Sequence, residues 1–136
     1  MAHQYETTVN PTWFKYTISD GGKGKEFDDF IHAVRNFIPY IPDGYVESPE
    51  FGAADALIAP FLTRIFEFSR REAYPWDIEN SGQSVLDALS ASEFDRLRAY
   101  QDKLANWNAV SSTVNWEQNE EQMKKYMPEM KAKFKK

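Results

Sequence analysis

Phe51-Gly-Ala-Ala-Asp-Ala-Leu-Ile-Ala-Pro-Phe-Leu-Thr-Arg-Ile-Phe66 holds the most apolar helical pattern in the chain. Leu57, Ile58, Phe61, Leu62, Ile65 and Phe66 recur at spacings of three and four, which puts them on one side of an α-helix. The start of that helix is written in Phe51, Gly52 and Asp55. A carboxylate three residues after an N-cap reaches back to the cap's backbone N–H, and an apolar residue just before the cap closes a hydrophobic staple. Glycine at the cap has no side-chain oxygen, so only half of the reciprocal box is present. Glycine remains an acceptable cap, at a loss of a few tenths of a kcal/mol relative to serine. Asp55 therefore reads as a helix-start residue and not as a catalytic carboxylate. Pro60 removes one hydrogen bond from the helix it sits in and bends it.

Outward from this helix the chain keeps the same period. Phe27, Phe30, Ile31, Val34, Phe37 and Ile38 form a second stripe, with Glu26, Asp28 and Asp29 in a first turn where the helix dipole favours negative charge. Pro39 and Pro42 end it, and residues 39–50 read as an extended connection. Asn10-Pro11 reads as an N-cap followed by proline at the first helical position, with Trp13, Phe14, Thr17 and Ile18 as the apolar face. Three glycines in the stretch Ser19–Gly24 make a loop. Beyond Pro75 and a polar run at 80–84, Val85, Leu86 and Leu89 give a short helix. Ser92 and Asp95 cap another, patterned by Phe94, Leu97, Tyr100, Gln101 and Leu104. A brief turn is expected over 110–114. A last helix from about Glu117 has Met123, Tyr126, Met127, Met130 and Phe134 inward or half-buried, and Pro128 is expected to kink or end it. Alternating patterns of useful length are missing, so strands are not expected. The fold class is all-α, with five or six helices in one domain over 1–136, and residues 1–8 and 131–136 are the parts expected to be disordered.

A chain of 136 residues buries roughly 65–70% of the surface that its unfolded form exposes, enough for a real core. Ten Phe, seven Tyr and four Trp argue against disorder. The net charge of −5 gives no general attraction to nucleic acid or to anionic membranes. Absence of cysteine rules out disulfides, thiolate catalysis and cysteine-ligated zinc, and fits a reducing compartment. With no apolar run of transmembrane length and no signal-peptide core at the N-terminus, the expected location is cytoplasmic.

The helix start at 51–55, Pro60, and the run Leu97–Val114 with Trp107-Asn-Ala-Val-Ser-Ser-Thr113 together resemble the all-helical C-terminal domain of the cytosolic glutathione transferases, in its omega-type or fungal-like branches. The likeness covers roughly residues 9–116 and departs at Gly52, where the family has Ser or Thr, and at Asn108, where it commonly has proline. The resemblance implies a bundle of helices around a central buried helix. It also implies that glutathione and the residue activating its thiol belong to a thioredoxin-like domain that these residues do not include. Hence neither catalytic nor cofactor-binding residues are expected in this chain alone, and glutathione becomes relevant only if that domain is supplied. By the same likeness, Trp13, Phe14, Tyr16 and Trp116 would line an apolar ligand pocket; ordinary core packing is the preferred reading of these aromatics.

Other chemistry is thin. His3 and His32 are too few and too far apart for a metal site, and Gly21, Gly22 and Gly24 lack the flanking pattern of a phosphate loop. Residues 124–136 hold six Lys and one Glu, a local +5 against −10 elsewhere. A basic tail suits an acidic partner, RNA or a membrane surface; a solvated helix end, where lysines complement the dipole, is the preferred reading. Three functions compete. The first is a noncatalytic module that binds a second copy or a protein partner through the face left by the missing domain. The second is the substrate-binding half of a glutathione transferase, and the third is a carrier of an apolar small molecule.

Overall fold

The computed structural model of the chain describes residues 1–41 and 51–134. Among them there is no strand, and the chain is a bundle of six helices of eight residues or more, joined by short turns. Helix α1 runs from Ala2 to Thr17, α2 is Lys25–Phe37, α3 is Ala53–Arg70, α4 is Ser81–Ala88, α5 is Asp95–Asn106 and, after a four-residue turn α6 (Asn108–Ser111), α7 is Trp116–Phe134. Helix α3 packs against α1, α4 and α5, and α2 packs against α1. No helix among the described residues is long and apolar enough to cross a membrane. The extended connection expected over 39–50 lies outside the described residues from 42 onward.

The clean stripes behave as the pattern requires. Phe27, Phe30, Val34 and Phe37 of α2 are buried, as are Phe94, Leu97, Tyr100, Gln101 and Leu104 at and within α5. Helix α7 starts at Trp116, one residue before the expected position, because Asn115 Oδ1 accepts the Gln118 N–H (3.1 Å) as its N-cap.

Asn10 is not an N-cap. Helical backbone begins at Ala2 and passes through a π-helical turn, Tyr5–Val9, into the α-helical run Asn10–Thr17. Pro11 explains the interruption: it has no N–H and its ring crowds the preceding turn. The ladder shifts by one residue there, the Asn10 N–H donating to the Tyr5 carbonyl. The hydroxyls of Thr7, Thr8 and Thr12 donate to carbonyls of the same helix and help satisfy the disturbed turn. Residues 2–8 are accordingly helical rather than disordered, with Tyr5 buried.

Pro128 lies within α7 and does not end it, the helix continuing to Phe134. Tyr126, Met130 and Phe134, expected inward or half-buried, are exposed, while Met127 and Lys131 are buried. The helix lies on the body along one narrow row, and Lys131 anchors its end. The Lys131 ammonium donates to the Pro75 carbonyl (2.8 Å) and to Asp77 Oδ1 (3.3 Å) and sits 3.6 Å from Asp20 Oδ1. At least this lysine of the basic tail is a structural cation and not a solvated one.

Candidate functional site

The start of α3 holds a buried polar site. Asp55 is buried, and its two oxygens have separate donors: the Gly52 N–H reaches Oδ2 at 2.8 Å and the Tyr100 hydroxyl reaches Oδ1 at 2.6 Å. The first bond is the half capping box read from the sequence. The second ties α3 to α5 and was not foreseen, since nothing in the spacing of 55 and 100 pairs them. Phe51 stacks on Trp107, ring centroids 4.9 Å apart, so the staple residue closes onto the α5–α6 corner. Both carboxylate oxygens are thus held by structural donors.

The four aromatics weighed between a pocket and core packing sit in different surroundings. Trp13 and Tyr16 are buried. Trp13 packs against Phe30, Tyr74 and Trp76, with centroids 4.8, 5.6 and 6.2 Å away. Trp116 meets Phe68 edge-on at 5.7 Å, and Phe14 is exposed against Phe134 at 5.5 Å. Trp13 and Tyr16 belong to the core, while Phe14 and Trp116 pack elsewhere. The Gly21–Gly22 loop, with φ of +87° and +72°, closes over this core. The Tyr16 hydroxyl donates to the Gly22 carbonyl (3.0 Å), Trp76 Nε1 to the Tyr16 carbonyl (3.0 Å) and the Gly22 N–H to Ser81 Oγ (2.9 Å).

Burial governs the titration of the tyrosines in this core. It pushes the Tyr74 phenol up to about 12, partly offset by its hydrogen bond from Trp13. Tyr5 rises well above the ordinary phenol range, by burial and then by its neighbour Tyr74, and its hydroxyl has no partner among the described residues. A phenol whose folded pKa exceeds the unfolded value contributes stability that is fully present below the unfolded pKa and is lost as pH rises toward the folded one. Alkaline unfolding is therefore expected to begin near the ordinary phenol pKa, about pH 10. Tyrosinate absorbance should show Tyr5 and Tyr74 ionising only together with loss of helical circular dichroism. Their ionisation in a chain that stays folded would contradict the packing described above.

A cleft of about 820 Å³ lies between α1 and α2. From α1 it takes Thr7, Thr8, Pro11, Thr12, Lys15 and Ile18, and from α2 Lys25, Glu26, Asp29, His32, Ala33 and Asn36. Its hydroxyls are already committed as donors: Thr7, Thr8, Thr12 and Ser19 all give their protons to backbone carbonyls. None is paired with His32, whose Nε2 lies 3.0 Å from the Asn36 amide nitrogen. Lys25 pairs with Asp29 at 2.9 Å. The cleft thus offers oxygen acceptors and charges of both signs over an apolar floor, and no nucleophile activated by a base. No group of three or more His, Cys, Asp or Glu side chains that could hold a metal ion occurs among the described residues. Sequence reading had picked out Glu26, Asp29 and His32 singly but not the cleft, which exists only because α1 extends back to Ala2.

The last feature is the outer arc of α3. Leu57 and Phe61, read from the sequence as part of the core stripe, are 53% and 43% exposed. Ala53, Ala56 and Pro60 beside them are exposed too, and the single charged residue from Ala53 to Thr63, Asp55, is buried. From Ala53 to Thr63 the helix is apolar nearly all round, which is the pattern of a helix covered on every side, yet one side is open. No protein-family model, no curated protein and no solved structure matches the chain.

Proposed function

We propose that the chain is a noncatalytic helical binding module that associates with a second copy of itself through the open arc of α3. The observation that carries this reading is the joint exposure of Ala53, Leu57, Pro60 and Phe61 on the helix that otherwise forms the core. Exposed apolar surface in one patch marks an interaction face more often than isolated apolar residues do. In the resemblance to glutathione-transferase helical domains, this is the side on which a thioredoxin-like domain would pack, so the two lines of reasoning converge on one face. The filling of the core by Trp13 and Tyr16 favours a protein partner over an apolar small molecule at that position.

Burying a Leu or Phe side chain is worth about 1.5–3 kcal/mol. Replacing both Leu57 and Phe61 with serine is expected to weaken the dimer about 100-fold or more, because each 1.4 kcal/mol is tenfold in the dissociation constant. Sedimentation equilibrium of the wild type and of Leu57→Ser/Phe61→Ser measures this, and circular dichroism checks that both remain helical. A wild type that stays monomeric at every concentration would refute the proposal.

A further inference from the structure

The α1–α2 cleft carries an inference independent of the α3 face. Its volume, about 820 Å³, falls within the range of small-molecule sites, roughly 300–1,000 Å³. Pro11, Ile18 and Ala33 give it an apolar floor, to which Thr7, Thr8 and Thr12 add methyl groups. The charges on its walls are unevenly matched. Lys25 is satisfied by Asp29, and Asp20 is drawn to Lys131 at 3.6 Å. Lys15 on the α1 wall and Glu26 on the α2 wall have no ion pair to any described residue, although both line the same cleft. No ion pair joins the two to each other. The threonine hydroxyls on the α1 wall donate to backbone carbonyls and keep lone pairs to accept from a ligand.

A small molecule complementary to these walls has a carboxylate for Lys15, an ammonium for Glu26 and an apolar body for the floor. We propose that the cleft binds a zwitterionic amino carboxylate with an apolar side chain, that is, an apolar amino acid or a short apolar peptide. Wall charges of opposite sign orient such a ligand, and the apolar floor supplies most of the contact area. Because the cleft is wide open to solvent, each charge contact is partly screened, and tenfold per contact is the expected scale.

The test is an amide chemical-shift titration of the full chain with leucyl-leucine, its N-acetyl form and its C-terminal amide, on the wild type, Lys15→Gln and Glu26→Gln. The expected result is saturable shifts over residues 7–15 and 26–36 for the free dipeptide, weakened about tenfold by either blocking group. Lys15→Gln should weaken the free dipeptide about tenfold and leave the C-terminal amide unaffected; Glu26→Gln should do the same for the free and N-acetyl forms respectively. Both residues are exposed, so neither change threatens the fold. Shifts that do not saturate, shifts outside the cleft, or equal binding of the blocked and free dipeptides by all three proteins would overturn the assignment. Binding lost equally for every ligand in both variants would overturn it too, since that pattern reports a distorted cleft and not charge recognition.

Discussion

Asp55→Ala lowers the unfolding free energy by about 3 kcal/mol. Losing the bond from the Gly52 N–H removes an N-terminal cap, worth about 1 kcal/mol. The larger part comes from α5. The Tyr100 hydroxyl donates 2.6 Å to Asp55 Oδ1 in a buried setting, and stranding a buried donor costs about 1–3 kcal/mol. The two contributions separate in a double-mutant cycle with Tyr100→Phe. That change removes the stranded hydroxyl, so the double variant should be less destabilised than the sum of the single variants by about 1 kcal/mol or more. Urea denaturation of the four proteins provides the cycle. Superimposable curves for the wild type and Asp55→Ala would remove the structural role assigned to this carboxylate and reopen a functional one.

Gly82→Ala is expected to be as damaging, through a different mechanism. A Cβ at position 82 would stand 2.2 Å from the Ser69 carbonyl oxygen of α3 and 2.9 Å from the Glu72 carboxylate. The carbonyl belongs to a helix and cannot yield cheaply, so α4 must move away from α3. That movement also breaks the cap of α4. Asn80 offers no side-chain cap; the Glu72 carboxylate takes its place, accepting from the Gly82 and Gln83 N–H groups at 2.9 Å each. Glu72 reaches them from a left-handed backbone conformation, φ +48°, an uncommon geometry for a residue with a side chain. Overpacking of this kind costs about 1–3 kcal/mol and the lost cap about 1 more. A drop in Tm on the order of 10 °C follows for a domain of this size. An unchanged Tm would mean that the α3–α4 contact is looser than described.

These two sites show what could be read in the sequence and what could not. The stripes of α2 and α5 were legible because each buries one face of a helix with period 3.6; the residues named by that period are buried, save Ile31 and Ile38, which are half-buried at its edge. Asp55 was legible as a cap because its partner at Gly52 is three residues away. Tyr100 was not, because a bond spanning 45 residues leaves no local trace. Glu72 was missed for the same reason on a shorter scale: a carboxylate that caps a helix from the preceding turn has no fixed offset. Asn10-Pro11 misled because proline at a first helical position and proline after a π turn look alike in sequence. In α7 the pattern named too many inward residues. A helix resting on a body by one row buries Met127 and Lys131 and leaves Tyr126, Met130 and Phe134 in solvent. The same ambiguity hid the outer arc of α3, since an apolar helix does not say which of its sides is covered.

The proposal that the open arc of α3 meets a second copy is tested most directly by a distance across that interface. The chain has no cysteine, so a single Ala53→Cys change places a spin label on the arc beside Leu57, and Lys103→Cys places a control on exposed α5. The expected result is strong dipolar coupling between labels at position 53 that fades on dilution and on adding Leu57→Ser/Phe61→Ser, with none at position 103. No coupling at position 53 at any concentration would contradict self-association through this face.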